Sequence, residues 1–125
     1  MFMKAFIILG ALNALLSVAL GAFGAHVLDG KVEPRYMITW QKAVTYQMLH
    51  AVGLLIIGVL MGKYPASALL SWSGWIMLLG IILFSGSLYI LSLTKWSPLG
   101  MITPFGGVSF LIAWALLILF AAKAL

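Results

Sequence analysis

The residues of this sequence best suited to chemistry are two histidines, His26 and His50, which lie within long apolar stretches. Tyr46 precedes His50 by one helical turn, so the two side chains would share one face of a helix. Ionisable residues in apolar surroundings are costly and tend to face the interior of a helix bundle. For His50 we favour an interhelical hydrogen bond, with ligand or lipid contact, proton transfer and metal binding as alternatives.

Cofactor and catalytic chemistry have little support in the sequence. Two histidines make an incomplete zinc site, because three or four ligands are usual. Bis-histidine haem is a further alternative, since His26 and His50 would come from two adjacent helices at similar depth. The chain has no cysteine, which excludes thiol enzymes and cysteine metal sites. No nucleophilic triad, paired carboxylate or phosphate loop is present, so we predict neither an enzyme nor a cofactor.

These residues would be positioned by four apolar stretches, at about residues 5–28, 43–62, 68–93 and 102–122. Crossing a hydrocarbon core of about 30 Å takes about 20 apolar residues in helix, and each stretch meets that length. The composition agrees, with 65% hydrophobic and 7% charged residues and a mean hydropathy of +1.21. We predict one all-α domain over residues 1–125, an integral membrane four-helix bundle, located in the cell membrane if the chain is bacterial.

The charged residues and the first connection complete this picture. The net charge is +5, but the basic residues are scattered over the helix ends, which favours membrane anchors over nucleic-acid binding. Glu33 followed by Pro34 is typical of a helix start. The residues after Pro34 divide into a polar and an aromatic face, which predicts a short interfacial helix running into the second stretch.

The alternation of four passes places both termini on one side of the membrane. The connections before the second and fourth stretches then lie on the other side. That side holds four basic residues, and the side with the termini holds three. This weak excess predicts cytoplasmic connections and external termini. The end with these connections gathers the notable polar residues, and we predict a cluster there formed by His26, Tyr46, His50, Ser85, Ser87, Tyr89 and Thr103.

Small residues recur at spacings of three or four, which permits close approach of helix backbones. The predicted packing positions are Gly10, Ala14, Ser17, Gly21, Gly24, Gly58, Gly62, Gly80, Gly106 and Gly107. Asn13 is expected to form an interhelical hydrogen bond. Thr103 precedes Pro104 and would suit a helix N-cap.

At these same residues the chain resembles the transmembrane protein 256 family, whose bacterial branch is catalogued as domain of unknown function number 423. The matching segments are Gly21-Ala22-Phe23-Gly24-Ala25-His26, Tyr46-Gln47, His50-Ala51, Gly53-Leu54-Leu55, Phe84-Ser85-Gly86-Ser87-Leu88-Tyr89 and Thr103-Pro104-Phe105-Gly106-Gly107. They occur in family order over nearly the whole chain. The resemblance implies a small four-helix membrane protein and supplies no activity. One departure is Ala113, where the family pattern predicts a glycine before the tryptophan.

Two functions are compatible with these features. The first is a non-enzymatic protein that binds a lipid, a small molecule or a partner helix, and it predicts a lateral groove open to lipid. The alternative is a small proton-coupled transporter or permease subunit that uses His50 and Tyr46, and it predicts a cavity reaching the midplane. The expected partners are membrane lipids and either further copies of the chain or another membrane protein.

Overall fold

Four helical spans account for almost the whole chain, and the described residues contain no strand. The structure, a computed structural model, describes residues 2–125. The spans cover Met3–Leu28, Pro34–Lys63, Ala68–Thr94 and Ser97–Ala124. Each is long and apolar enough to cross a bilayer. The prediction of an all-α protein with four membrane spans is therefore confirmed.

Two of the spans contain a π-helical segment, a wider turn than the α-helix that is rare and often found at functional sites. The helical elements, in chain order, are α-helix Met3–Phe23, π-helix Gly24–Leu28, α-helix Pro34–Lys63, α-helix Ala68–Gly80, π-helix Ile81–Gly86, α-helix Ser87–Thr94, 3-10 helix Ser97–Met101 and α-helix Thr103–Ala124. The first π-helix ends the first span, and the second interrupts the third span.

The segment predicted as a short interfacial helix is continuous with the second span. A single α-helix runs from Pro34 to Lys63 without a break, so it starts before residue 43, where the apolar stretch begins. Pro34 can open this helix because the first N–H groups of a helix have no intrahelical acceptor. Its 30 residues span about 45 Å, more than a hydrocarbon core of about 30 Å. The first turns, with Arg35 and Tyr36, would therefore lie at headgroup depth.

Spans that are consecutive in the chain pack along each other: the first with the second, the second with the third, and the third with the fourth. The first and fourth spans do not pack along each other, so the second and third form the centre. This arrangement leaves two lateral grooves. The 2–4 groove lies between the second and fourth spans and is lined by Tyr46, His50, Phe84, Gly107, Leu111 and Trp114. The 1–3 groove lies between the first and third spans and is lined by Asn13, Leu20, Gln47, Ile82, Gly86 and Tyr89.

Glycines allow the backbones to approach where neighbouring spans pack. A Cβ added to Gly10 would lie 3.0 Å from the carbonyl oxygen of Ala51, and one added to Gly58 would lie 3.2 Å from the amide nitrogen of Ile7. Between the third and fourth spans, a Cβ added to Gly106 would collide with the backbone of Phe84. Gly106 therefore cannot carry a larger residue without moving a helix, whereas at Gly10 and Gly58 the neighbouring backbone would have to give by a few tenths of an ångström.

The other predicted packing residues lie in contacts of differing closeness. A Cβ added to Gly21, Gly24, Gly62 or Gly80 would contact the side chain of a neighbouring residue. Ser17 is buried, and Ala14 is half-buried. Gly107 differs from all of them, because a Cβ added there would have nothing within 4 Å. It does not pack against another helix and instead borders the 2–4 groove.

The apolar core and the turn after the second span lie at the end of the molecule that holds the termini. Phe6 is fully buried, and its ring lies 4.9 Å from that of Trp75. The ring of Tyr64, just after the second span, lies 5.1 Å from that of Phe120. At the opposite end, Lys95 Nζ forms an ion pair with Glu33 Oε1 at 3.2 Å. This ion pair joins the first and third connections.

Gly106→Ala should lower the free energy of unfolding by about 1–3 kcal/mol, because the added methyl meets backbone atoms of Phe84 that can move only with the helix. Unfolding in mixed micelles with increasing dodecyl sulfate, followed by circular dichroism, measures the change. Gly100→Ala is the matched control, since a Cβ at Gly100 has nothing within 4 Å. Equal stability of the two variants would contradict the close packing of the third and fourth spans.

The absence of native cysteine allows the topology to be tested with single introduced thiols. Lys31→Cys and Gly100→Cys should react from one side of the membrane, and Ala66→Cys and Ala124→Cys from the other, because these positions lie at opposite ends of the spans. With external termini, only the second pair should react with an impermeant maleimide in intact cells. A pair divided between the two sides would contradict the four-span topology.

Candidate functional site

The predicted polar residues do not form one cluster. Two pairs of them contact each other: Tyr46 with His50, and Ser87 with Thr103. No hydrogen bond or ring contact in the described chain joins one pair to the other. His26 lies exposed in the π-helical end of the first span and makes no hydrogen bond with either pair. The structure therefore holds separate polar groups in place of the predicted single site.

His50 is the most constrained polar residue of the second span and is only 2% exposed. Its Nδ1 lies 2.7 Å from the carbonyl oxygen of Tyr46, and its Nε2 lies 3.0 Å from the indole Nε1 of Trp114. A carbonyl oxygen can only accept and an indole N–H can only donate. These two partners therefore fix the neutral imidazole with its proton on Nδ1.

The ring of His50 is also enclosed on one face. The ring of Phe110 stacks on it at a centroid distance of 3.5 Å and an angle of 8°. Both nitrogens already have protein partners, so binding a metal or a second proton would require the loss of the Trp114 hydrogen bond. Within residues 2–125, moreover, no three residues of the metal-binding types lie close together. The arrangement suits a structural bridge between the second and fourth spans.

A second polar group connects the first three spans. The Tyr89 hydroxyl donates to Gln47 Oε1 at 2.7 Å, and Gln47 Nε2 donates to Asn13 Oδ1 at 3.0 Å. Asn13 Nδ2 in turn donates to the carbonyl oxygen of Leu9 at 2.8 Å. Asn13 therefore makes the interhelical hydrogen bond expected from the sequence, and its partner is Gln47.

The remaining predicted residues make hydrogen bonds that join helices. The hydroxyls of Ser87 and Thr103 lie 2.7 Å apart between the third and fourth spans. Ser85 donates to the carbonyl oxygen of Ala43 at 2.8 Å. The predicted N-cap role of Thr103 is wrong, because the helix begins at Thr103 itself, Ile102 is the capping residue, and no side chain caps the helix.

The 2–4 groove has a volume of about 500 Å³ and opens laterally, where lipid would surround the protein. Phe84, Phe110 and Trp114 give it an aromatic wall, and Leu111 is 71% exposed at its margin. The groove exists because long side chains, and not close backbone packing, connect the second and fourth spans. Gly107 adds to the space, since no side chain fills its position.

Sequence reasoning did not select Gln47 or Trp114 as site residues. Gln47 is a polar side chain deep in an apolar stretch, a signal that was available beside Tyr46 and His50. Trp114 carries no such signal, because tryptophan is common in membrane helices and its indole N–H becomes informative only when the partner is known.

A double-mutant cycle with His50→Leu and Trp114→Phe should give a coupling energy of about 0.6 kcal/mol and at most about 1.7 kcal/mol, the range measured for hydrogen bonds between membrane helices. Each single substitution removes one partner of the bond. Unfolding in mixed micelles measures the four free energies. A coupling energy near zero would contradict the bridge between the second and fourth spans.

Comparison with known proteins identifies a family for the whole fold. The family described as protein of unknown function (DUF423) matches residues 20–107. The UPF0382 membrane protein YwdK of Bacillus subtilis strain 168 is 53% identical over 123 residues, which cover 98% of this chain and 100% of that protein. A UPF0382 membrane protein of Staphylococcus aureus strain bovine RF122 is 56% identical over 121 residues, 97% of this chain and 98% of the relative.

A UPF0382 membrane protein of Staphylococcus epidermidis strain RP62A is 54% identical over 121 residues, again 97% of this chain and 98% of the relative. No solved structure matches the chain. The family match extends over most of the chain, and these relatives are aligned from end to end. The chain therefore belongs to the DUF423 family of membrane proteins.

Proposed function

We propose that this chain is a non-enzymatic protein of the bacterial cell membrane that binds a phospholipid in the 2–4 groove. The observation that carries the proposal is the groove itself, about 500 Å³ in volume and open along the side of the bundle. Ligand sites of this size are typically apolar with a few polar groups that fix orientation. The groove has this composition, with aromatic and aliphatic walls and Tyr46 and His50 as its polar members.

Tyr46 supports a ligand with a polar end. Its side chain is 39% exposed, and its hydroxyl has no hydrogen-bond partner in the part of the chain that the structure describes. A phenol hydroxyl in an apolar setting is costly unless it is hydrogen-bonded. The ester carbonyl of a glycerolipid is an acceptor that the membrane supplies at this depth, one turn inside the start of the apolar stretch.

Lys42 supports a phosphate as the next group of the ligand. It precedes Tyr46 by one helical turn, is exposed, and has no carboxylate partner among residues 2–125. One turn is about 5.4 Å along the helix axis, comparable to the step from an ester carbonyl to the phosphate of a phospholipid. Lys42 would then pair with the phosphate, Tyr46 with the ester, and the acyl chain would follow Leu49, Leu111 and Trp114 down the groove.

The transport alternative has no comparable support. Proton transfer by His50 needs a nitrogen that is free to exchange its proton, and both nitrogens have partners in the protein. The open space at Gly107 and the aromatic wall of the groove instead favour a bound molecule with an acyl chain. A second copy of the protein or a partner membrane helix is the competing occupant of the groove.

Gly107→Leu should remove a co-purifying phospholipid while the protein stays folded, because the new side chain enters the groove and has no protein atom within 4 Å of its Cβ. Mass spectrometry of the gently extracted protein measures bound lipid and oligomeric state together. Gly86→Leu is the matched control, since its Cβ is equally unobstructed but borders the 1–3 groove.

Lys42→Gln should lower the retention of phospholipid in the same experiment, because the charge opposite the phosphate is removed. Equal lipid retention by wild type, Gly107→Leu and Gly86→Leu would overturn the proposal. Loss of a dimer in Gly107→Leu, with no lipid bound to the wild type, would assign the groove to a second copy of the chain.

A further inference from the structure

The 1–3 groove is a second lateral opening, independent of the phospholipid site, with a volume of about 260 Å³. Its floor carries the carboxamides of Asn13 and Gln47, and Tyr89 lies at its edge. One wall is the π-helical segment Ile81–Gly86 of the third span, which supplies Ile81, Ile82, Ser85 and Gly86. A polar floor and a π-helical wall together are unusual for a surface that only faces lipid.

The hydrogen bonds of this floor run in one direction. The carbonyl of Leu9 can only accept, so it fixes the amide orientation of Asn13, which then fixes that of Gln47 and makes Tyr89 the donor at the other end. Each carboxamide has two N–H groups and uses one of them within the described chain. Two N–H donors beside the groove are thus left without an acceptor among residues 2–125.

The position of the floor limits what can supply that acceptor. Asn13 lies about 15 Å along the first span from Met3, and Gln47 lies within the apolar part of the second span, so both carboxamides are inside the hydrocarbon, where bulk water is absent. No charged residue lines the groove. The ligand must therefore be neutral, apolar enough to enter from the lipid, and equipped with a hydrogen-bond acceptor.

We propose that the 1–3 groove binds a neutral lipid whose head is a carbonyl-bearing ring, such as a membrane quinone, with Asn13 and Gln47 donating to the carbonyl. The volume fits, because an apolar cavity of about 150 Å³ is enough to hold benzene. Aromatic rings also flank the site: Trp40 and Tyr89 lie with centroids 4.7 Å apart, and the indole of Trp40 donates to the carbonyl of Leu20 on the groove wall. The ester of a diacylglycerol offers the same acceptor without a ring.

Gly86 leaves the entrance unobstructed, since a Cβ there would have nothing within 4 Å. The binding test uses purified protein in lipid-free detergent and a benzoquinone with a decyl tail, which quenches nearby tryptophan fluorescence. We expect saturable quenching that is largely lost in Trp40→Phe. Gly86→Leu should raise the Kd about ten-fold or more, equivalent to about 1.4 kcal/mol, by blocking the entrance. Gln47→Met should raise it by removing a donor, and Gly107→Leu should leave it unchanged.

The outcomes separate this proposal from the phospholipid proposal, because Gly86→Leu and Gly107→Leu block different grooves. Absence of saturable quenching in the wild type would overturn the quinone site, as would an unchanged Kd in Gly86→Leu. A Kd raised only in Gly107→Leu would assign the probe to the 2–4 groove and would also overturn the quinone site in the 1–3 groove. Dioctanoylglycerol should compete weakly with the quinone, and an inhibition constant as low as the Kd of the quinone would overturn the requirement for a ring. If Gln47→Met fails to fold, the Kd of Gly86→Leu still tests the proposal.

Discussion

Hydrocarbon offers no hydrogen-bond partner, so polar groups within the spans have to be satisfied by the protein. The serines follow this constraint closely: Ser73 donates to the carbonyl of Ala113, Ser85 to that of Ala43, and Ser17 to that of Asn13. Every buried side-chain nitrogen or oxygen atom in the described residues has at least one partner. The bonds of Ser73 and Ser85 join two helices, whereas the bond of Ser17 satisfies its hydroxyl within its own helix.

The same constraint distinguishes the two grooves. In the 2–4 groove both nitrogens of His50 have partners, Tyr46 and Trp114, and the hydroxyl of Tyr46 is left open among residues 2–125. In the 1–3 groove the carboxamides of Asn13 and Gln47 each use only one of their two N–H groups within the described chain. One groove therefore offers an open hydroxyl near the exposed Lys42, and the other offers open amide donors with no charged residue in its lining.

The sequence was sufficient for the number of spans, because this number follows from hydropathy. It was insufficient for contacts, since these depend on the rotation of each helix about its axis. His26 illustrates the reason: it lies in a π-helical segment, and each residue inserted into a helix rotates the following side chains by roughly 100°. Ala113 is a second example. The family pattern predicts a glycine at this position, yet the alanine is accommodated there and is fully buried.

The order of packing has a consequence for biosynthesis. Spans that are consecutive in the chain are neighbours in the bundle, and the second and third are joined by a connection of only a few residues, from Tyr64 to Ser67. Each span after the first therefore has a neighbour already in the membrane when it is made, so the bundle can assemble in the order in which the chain enters the membrane. The fourth span, which closes the 2–4 groove, arrives last, and a lipid already lying against the second span can be enclosed as the protein is completed.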